Sequence, residues 1–459
     1  MSQSPPDVPM RFNQSSGGGW HPKDPAVVAG WIAWLRAEAA TRNLAEAPPI
    51  AALRTLVTSV PYLNAQAEAM FADALKRCPT TPLGQPSVVD FNEFLLLLNV
   101  IMQMAPEAYQ TYPALEPAGL IGFPINALLN WPMATEFGYT FFSDTMVNER
   151  FRAILIYWSR FLTSAASTYV LTETPRKVSP TTIALPWLGA QAQSEMVAVA
   201  QQALGDGPNP TPASFAQIFN CDPSQPSYGF GSWDEFFTRT FKAGVRPVSA
   251  PSDDSVIVNA CESAPLQVVT NVQAHDQFWL KGQPYSLADM MANDPFAPQF
   301  TGGTVYQAFL SALSFHRWHS PVSGTLVRSF VAPGSYYLEN LYQGFVNPAG
   351  ADPSAPNQSQ PFLSSVATRA VMFIQADNPK IGLMCVVAIG MAEVSSCEVT
   401  VKPGQHINKG DQIGMFHFGG STHCLVFRPG VNLNFDFYGQ QPNINATNMR
   451  VNTRIAVVS

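Results

Sequence analysis

The sequence predicts an α+β protein, with a helical N-terminal domain followed by a mainly β domain. Two changes of pattern carry this reading. Apolar residues recur at every third or fourth position as far as about residue 200, and beyond Phe241 they gather into short runs rich in β-branched side chains. Between the two regions, Gly205-Asp206-Gly207-Pro208-Asn209-Pro210-Thr211-Pro212 interrupts helix and sheet alike, because proline lacks the amide hydrogen that either ladder needs.

Residues 1–20 are polar, end in three glycines and read as a flexible tail. The helical domain is assigned to 21–204. Its first helix opens at Asp24-Pro25, an N-cap followed by proline at the first helical position, and carries Val28, Trp31, Ile32 and Leu35 at helical spacing. Ser87-x-x-Asp90 resembles a capping box ahead of 91–104, a run apolar nearly all round and so expected to lie between neighbours. A further helix opens near Ser143-Asp144 and repeats Val147, Phe151, Ile154, Leu155, Trp158 and Phe161. No cluster of acids, bases or metal ligands stands out in this half of the sequence. The β domain is assigned to 213–459, with strands expected at 256–258, 266–269, 325–331, 370–374 and 383–389. The Pro/Ser/Asn/Gln-rich stretch 346–361 interrupts it and reads first as a disordered decoration, alternatively as a lid. Turns at Lys402-Pro403-Gly404-Gln405 and Asn408-Lys409-Gly410-Asp411 follow.

Apolar residues make up 46% of the 459 and charged residues only 12%, a globular and not a disordered composition. The net charge of −7 and the absence of any Lys/Arg block speak against a nucleic-acid surface or a polybasic membrane patch. No signal-peptide or presequence pattern opens the chain, and its longest apolar runs fall short of the ~20 residues that span a bilayer. A soluble, cytoplasmic protein without a stable membrane anchor is therefore expected. Six cysteines (Cys78, Cys221, Cys261, Cys385, Cys397, Cys424) are scattered without a Cys-x-x-Cys pair, which favours neither a disulfide framework nor zinc. No metal is assigned, since acidic pairs such as Asp253-Asp254 are common in solvated loops.

Chemistry concentrates in three stretches: Ala260-Cys261-Glu262-Ser263, Phe315-His316-Arg317-Trp318-His319-Ser320-Pro321, and Gly419-Gly420-Ser421-Thr422, the last flanked by His417 and His423. An acid, paired histidines and a hydroxyl on a glycine hinge are the parts of an activated-nucleophile site. Glycine before the serine leaves the backbone free to bring the hydroxyl onto the preceding carbonyl, so Ser421 could attack Gly420 and exchange amide for ester. Elimination from that ester and hydrolysis of the resulting imine would leave a pyruvoyl group. By pattern alone Gly-Gly-Ser-Thr also reads as a polar turn, and His-x-x-His as structural or a weak metal pair.

Ser232-Trp233-Asp234-Glu235-Phe236-Phe237-Thr238-Arg239 with Arg246-Pro247, then Lys281-Gly282-x-x-Tyr285-Ser286-Leu287, Phe315–Pro321 and the Gly-Ser-Thr site, resembles the phosphatidylserine decarboxylase family, motif by motif and in that family's order over roughly 225–430. Asn293-Asp294-Pro295-Phe296-x-Pro298-Gln299-Phe300 and Gly414-Met415-Phe416-His417-Phe418-Gly419-Gly420-Ser421 resemble more closely its soluble fungal branch, which includes the tryptophan decarboxylase of psilocybin biosynthesis. The resemblance implies a mainly β pyruvoyl-dependent decarboxylase domain, self-cleaved between Gly420 and Ser421, with Ser421 becoming the pyruvoyl cofactor at the head of a short chain that stays associated with the long one. It implies that His319 pairs with an acid in self-cleavage, that His316 acts in decarboxylation or protonation of the substrate, and that Glu262 stands where membrane-bound relatives carry Asp. Two departures accompany it: Glu262-Ser263 replaces Asp-Gly, and Gly419-Gly420 replaces Leu-Gly with one residue inserted.

The activity so implied is decarboxylation of free aromatic L-amino acids, tryptophan or phenylalanine, through a Schiff base in which the cofactor serves as electron sink. An imidazole with a pKa near ~6.5 suits the protonation step, which points to His316. Phe315, Trp318, Phe416 and Phe418 could line an aromatic pocket or simply fill the core. The alternatives are a phosphatidylserine decarboxylase making phosphatidylethanolamine, and a binding module whose Gly-Gly-Ser-Thr is an ordinary turn. A homo-oligomer is left open.

Overall fold

In the computed structural model, which describes residues 25–81, 86–111, 123–179, 182–275, 285–311, 313–352, 355–394, 396–417 and 421–459, proline opens four helices of the N-terminal half. These are α1 (Pro25–Arg42), α2 (Pro48–Ser59) and α3 (Pro61–Arg77) and, after α4 (Phe91–Ile101) and β1 (Ala108–Thr111), α5 (Pro124–Met133). The missing amide hydrogen costs nothing there, because the first turn leaves it unpaired in any case. The expected tail at 1–20 and the cap at Asp24 lie outside the described residues. At α4 the cap is Asp90, whose carboxylate accepts the Glu93 N–H at 2.8 Å, while Ser87 turns away to the Cys78 carbonyl. The helix is also less enclosed than its composition implies, since Leu96 is 50% exposed. After α6 (Glu136–Ser143), Asp144 caps α7 (Thr145–Leu162) by accepting from Met146 and Val147.

The helical half carries one element that the sequence reading lacks. β1 forms a small antiparallel sheet with β2 (Arg176–Ser179) and β3 (Thr182–Leu185), in the order β1-β3-β2. Helices α8 (Ala190–Gln202), α9 (Phe215–Ile218) and α10 (Trp233–Phe237) follow. The Gly205–Pro212 stretch forms neither helix nor strand, yet it is fastened to the C-terminal segment: Leu204 N–H donates to Asn448 O and Asp206 N–H to Thr453 Oγ1, both at 2.8 Å.

The β region follows in order: β4 (Val256–Val258), β5 (Ala264–Val272), α11 (Leu287–Met290), β6 (Gly303–Leu310), β7 (Arg317–His319), β8 (Gly324–Ala332), α12 (Ala355–Gln358), α13 (Gln360–Val366), β9 (Arg369–Ala376), β10 (Leu383–Gly390), β11 (Ser396–Val399), β12 (His406–Ile407), β13 (Gln412–His417), β14 (Ser421–Phe427), β15 (Leu433–Phe435) and β16 (Arg454–Val458). Each expected strand falls within one of these. Seven form a sheet in the order β12-β8-β9-β10-β14-β6-β5, antiparallel throughout. Two three-stranded sheets, β11-β13-β7 and β15-β16-β4, complete it. In place of a disordered decoration, the later part of the 346–361 stretch packs inward among the described residues: Ala351, Ala355, Asn357, Ser359 and Gln360 are buried and it ends in α12 and the start of α13. A single hydrophobic cluster joins Trp31 of α1 to Val458 of β16, so helices and sheets share a core.

Gly414 of β13 faces Trp318 of β7. A Cβ there would lie 2.4 Å from a ring carbon of Trp318 and 2.4 Å from the Glu398 carbonyl oxygen. Gly414→Ala is expected to lower stability by about 3 kcal/mol through overpacking, read as a shift of the urea midpoint with an unchanged m-value.

Candidate functional site

β14 begins at Ser421 and lies between two strands, so its register is fixed on both edges. Ser421 stands opposite Gly390 of β10 and Leu310 of β6. Every residue of β14 is buried, and the Ser421 hydroxyl has no hydrogen-bond partner among the described residues. Phe418, Gly419 and Gly420 lie outside the described residues. Thr422, on the opposite face, is locked in place: its hydroxyl donates to Ala308 O at 2.9 Å and accepts from Gln307 Nε2 at 3.1 Å. Gln307 Oε1 in turn accepts from the Tyr285 hydroxyl at 2.5 Å, which itself accepts from Gln267 Nε2 at 2.5 Å. This buried relay fixes the strand one residue beyond the candidate nucleophile.

His316 precedes β7. Its ring stacks on Phe237 of α10 with centroids 4.3 Å apart, and its carbonyl accepts the Phe416 N–H at 3.0 Å. Burial, helped by the nearby Arg239 cation, pushes its pKa down to about 3, so the ring is neutral near pH 7. Arg239 is itself buried against Phe219 and donates to the Leu313 carbonyl. The segment Ser232–Arg239 thus builds one wall around His316.

His319 ends β7 with Nδ1 2.7 Å from the Gly410 carbonyl. That oxygen can only accept, so Nδ1 carries the hydrogen and Nε2 presents a lone pair. Nε2 is buried and unpartnered among the described residues. Burial lowers the His319 pKa, with Arg317 adding to the effect and the Gly410 carbonyl, Asp411 and Glu262 opposing it. Glu262 lies nearby, since the residue two before it, Ala260, accepts the His319 N–H at 2.8 Å. Its carboxylate, however, is engaged elsewhere. Arg246 Nε donates to both oxygens at 3.1 and 3.0 Å, Arg246 Nη2 to Oε1 at 2.5 Å, and Val451 N–H to Oε2 at 2.8 Å. The structure therefore brings Glu262 and His319 into one neighbourhood without a hydrogen bond between them among the described residues. The longer acid reaches a guanidinium instead.

Of the aromatic candidates, Trp318 and Phe416 are fully buried against each other, 4.7 Å apart and edge to face. Phe315 packs on Phe241 and the His319 ring, 4.5 and 5.7 Å away. All three thus lie in ring contacts around the 315–319 segment.

Some participants carry no role in the sequence reading. Arg246, Asp234 and Tyr285 sit within the quoted motifs, so a signal was there. His417 is held by Asp234 of α10, with both oxygens 3.0 Å from Nδ1, and by Glu398 of β11, 2.9 Å from Nε2. Both nitrogens face carboxylates, so the cationic form, which donates from both, is favoured. Burial alone would lower its pKa; the two carboxylates outweigh burial and raise it. His423 is buried two residues beyond Ser421, its pKa pushed down to about 3 by burial.

Two predictions follow from this electrostatics. Arg246 and Glu262 side chains are each 2% exposed, so Arg246→Met, which strands a buried carboxylate, should cost about 3–5 kcal/mol; Arg246→Met/Glu262→Gln should recover part of it in urea melts. Because the folded state raises the His417 pKa, its contribution to stability is fully present below its ordinary value of ~6.5 and declines as pH rises through the elevated one. His417→Gln should flatten that decline in unfolding midpoints measured between about pH 6 and 9.

Two family models described as phosphatidylserine decarboxylase match the chain, one over residues 233–452 and the other over 47–196. A decarboxylase named iboD from Amanita muscaria is 40% identical over 325 residues, covering 68% of this chain and 86% of that relative. An L-tryptophan decarboxylase of Psilocybe cubensis is 33% identical over 419 residues, covering 89% of this chain and 88% of its own. A phosphatidylserine decarboxylase proenzyme 2 from rice is 29% identical over 233 residues, covering 50% of this chain and 35% of the relative.

Proposed function

The chain belongs to the phosphatidylserine decarboxylase family and is a carboxy-lyase, and on that premise we propose that it decarboxylates free aromatic L-amino acids, tryptophan or phenylalanine, after cleaving its own backbone between Gly420 and Ser421. The observation that carries the substrate class is likeness to an L-tryptophan decarboxylase across 89% of the chain, helical half included. Among the described residues no helix is long and apolar enough to cross a membrane.

The residues present fit a pyruvoyl group at 421. Ser421 has a buried hydroxyl without a partner among the described residues, two glycines before it, and a strand clamped on both edges after it. When formed, the group supplies an electrophilic carbonyl that captures the substrate amine and accepts the electron pair released with CO2. His319 is assigned the proton of the Ser421 hydroxyl. Its Nδ1–H is tethered to Gly410, which leaves Nε2 as the base. Glu262, anchored by Arg246, stabilises the imidazolium through space. His316 is neutral before substrate enters; a bound carboxylate beside it would raise its pKa and let its ring hold the proton that returns to Cα. Burial of these groups excludes water from the reacting centre.

Intact mass spectrometry tests maturation. Wild type should divide into residues 1–420 and 421–459, with the short chain bearing the pyruvoyl mass change, whereas Ser421→Ala should stay whole and inactive. Cleavage of Ser421→Ala would overturn the nucleophile. Incubation with L-tryptophan, L-phenylalanine or phosphatidylserine liposomes tests the substrate: amine released from the lipid alone would replace the amino-acid reading with the headgroup one.

A further inference from the structure

The face of the seven-stranded sheet on which Ser421 lies continues into an unusual row. In an antiparallel ladder, directly paired residues share a face and alternate residues of one strand return to it. His423 therefore lies on the Ser421 face, with Ala308 of β6 on one side and Ala388 of β10 on the other. The row extends outward to Pro265 of β5 and Ala370 of β9. The adjacent row, through Leu425, carries Tyr306, Val386 and Met372. A band of three alanines thus crosses the sheet one pleat beyond Ser421, between bulkier side chains on one side and the candidate reacting residue on the other.

The polar group in that band is His423. It is 0% exposed, and neither ring nitrogen has a hydrogen-bond partner among the described residues. The Tyr306 ring meets its imidazole edge to face at 6.0 Å, and the Tyr306 hydroxyl is likewise buried and unpartnered among the described residues. An unpaired buried imidazole carries a desolvation cost that a purely structural position would avoid with an apolar residue. A flat, small-residue floor suits a planar ring, and a neutral imidazole offers both a donor and an acceptor to a polar atom on its rim.

We infer that the alanine row receives the side-chain ring of the substrate and that His423 hydrogen-bonds a polar ring atom, making it the residue that selects an indole over a phenyl ring. This rests on the proposed amino-acid decarboxylase reading and narrows it to tryptophan. The imidazole stays neutral, with a nitrogen lone pair to accept the indole N–H. A buried site that hydrogen-bonds its ligand discriminates strongly against an analogue lacking the group, because its own polar atom is then left unpaired.

The test uses the processed wild-type protein, His423→Leu, His423→Gln and Ala388→Val. Indole-3-propionate and 3-phenylpropionate, which lack the amine and so cannot be captured covalently, serve as calorimetric probes. Wild type should bind the indole acid about tenfold more tightly than the phenyl acid, the worth of one net hydrogen bond. His423→Leu should erase that ratio, with self-cleavage by intact mass unchanged and the KM for L-tryptophan raised more than kcat is lowered. His423→Gln should restore part of the ratio, and Ala388→Val, which fills the row, should weaken both probes. A cleaved, folded His423→Leu or His423→Gln with the wild-type ratio overturns the assignment of His423, and wild-type affinities in Ala388→Val overturn the row as the ring's floor. If wild type decarboxylates L-tryptophan and L-phenylalanine yet the variants behave so, the specificity inference alone fails. If it acts only on phosphatidylserine, the amino-acid reading fails and takes this inference with it.

Discussion

The register of β14 between β10 and β6 is the constraint on which the site depends. A slip of one residue would turn Ser421 and His423 to the other face and bring Thr422 round in their place. Pairing on both edges makes such a slip costly, and the Thr422–Gln307–Tyr285–Gln267 relay opposes it further, because its donors and acceptors match only in this register. Such a frame suits the proposed self-cleavage: the bond proposed to break lies on one side of Ser421, and the doubly paired strand lies on the other.

Around that frame the structure sets charge in compensated groups, one buried and one half-exposed. Arg246 and Glu262 pair with each other in the neighbourhood of His319, on which Glu262 still acts electrostatically, and His417 sits between Asp234 and Glu398 at the end of β13. The buried His316 and His423 differ in kind, since among the described residues burial dominates and no carboxylate is among the causes that shift them, so both are held neutral. Two histidines a few residues from Ser421 thus have opposite electrostatics: His417 is biased towards the cation that binds its acidic neighbours, and His423 towards the uncharged ring. Neighbouring charge accounts for the difference, not sequence distance.

Much of this was legible in the sequence where local chemistry decides. The run 383–389 was readable as a strand from its length and β-branched content, and a helix start was readable near Ser143-Asp144 from the apolar period that follows. What escaped was set by contacts distant in sequence. The short strands at 176–179 and 182–185 have weak β patterns and exist because 182–185 pairs with β1 on one edge and with 176–179 on the other. The 346–361 stretch has the composition of a loop, but small side chains in its later part, Ala355 and Ser359 among them, let residues 355–360 pack inward. Glu262 was recognisable as an acid near the histidines, whereas its engagement by Arg246 depends on how two loops fold together. The motif around His316 was readable as a motif; that Phe237 supplies the ring stacked on it depends on a contact between segments far apart in sequence.

The helical half bears on the same frame. Beyond Gly390, the residue opposite Ser421, the chain runs through Met391 and Ala392 to Glu393, which is buried and inserts its carboxyl into the first turn of α5. One oxygen, Oε1, accepts the N–H groups of both Ile125 and Asn126, at 2.6 and 2.8 Å. Those two amides are among the four that a helix start leaves unpaired, so the segment that follows β10 supplies from outside what the α5 sequence lacks. Burial pushes the Glu393 pKa up to about 8, against the pull of the helix amides, so the group is largely uncharged near pH 7 and accepts as a neutral acid. An acid buried on those terms is stable only while α5 is in place, and α5 is positioned by α3, α4 and α6, on which it packs. The end of β10 that faces Ser421 is therefore tied, through one side chain, to the packing of the helices, which gives the helical half a physical part in holding the strand that begins at Ser421.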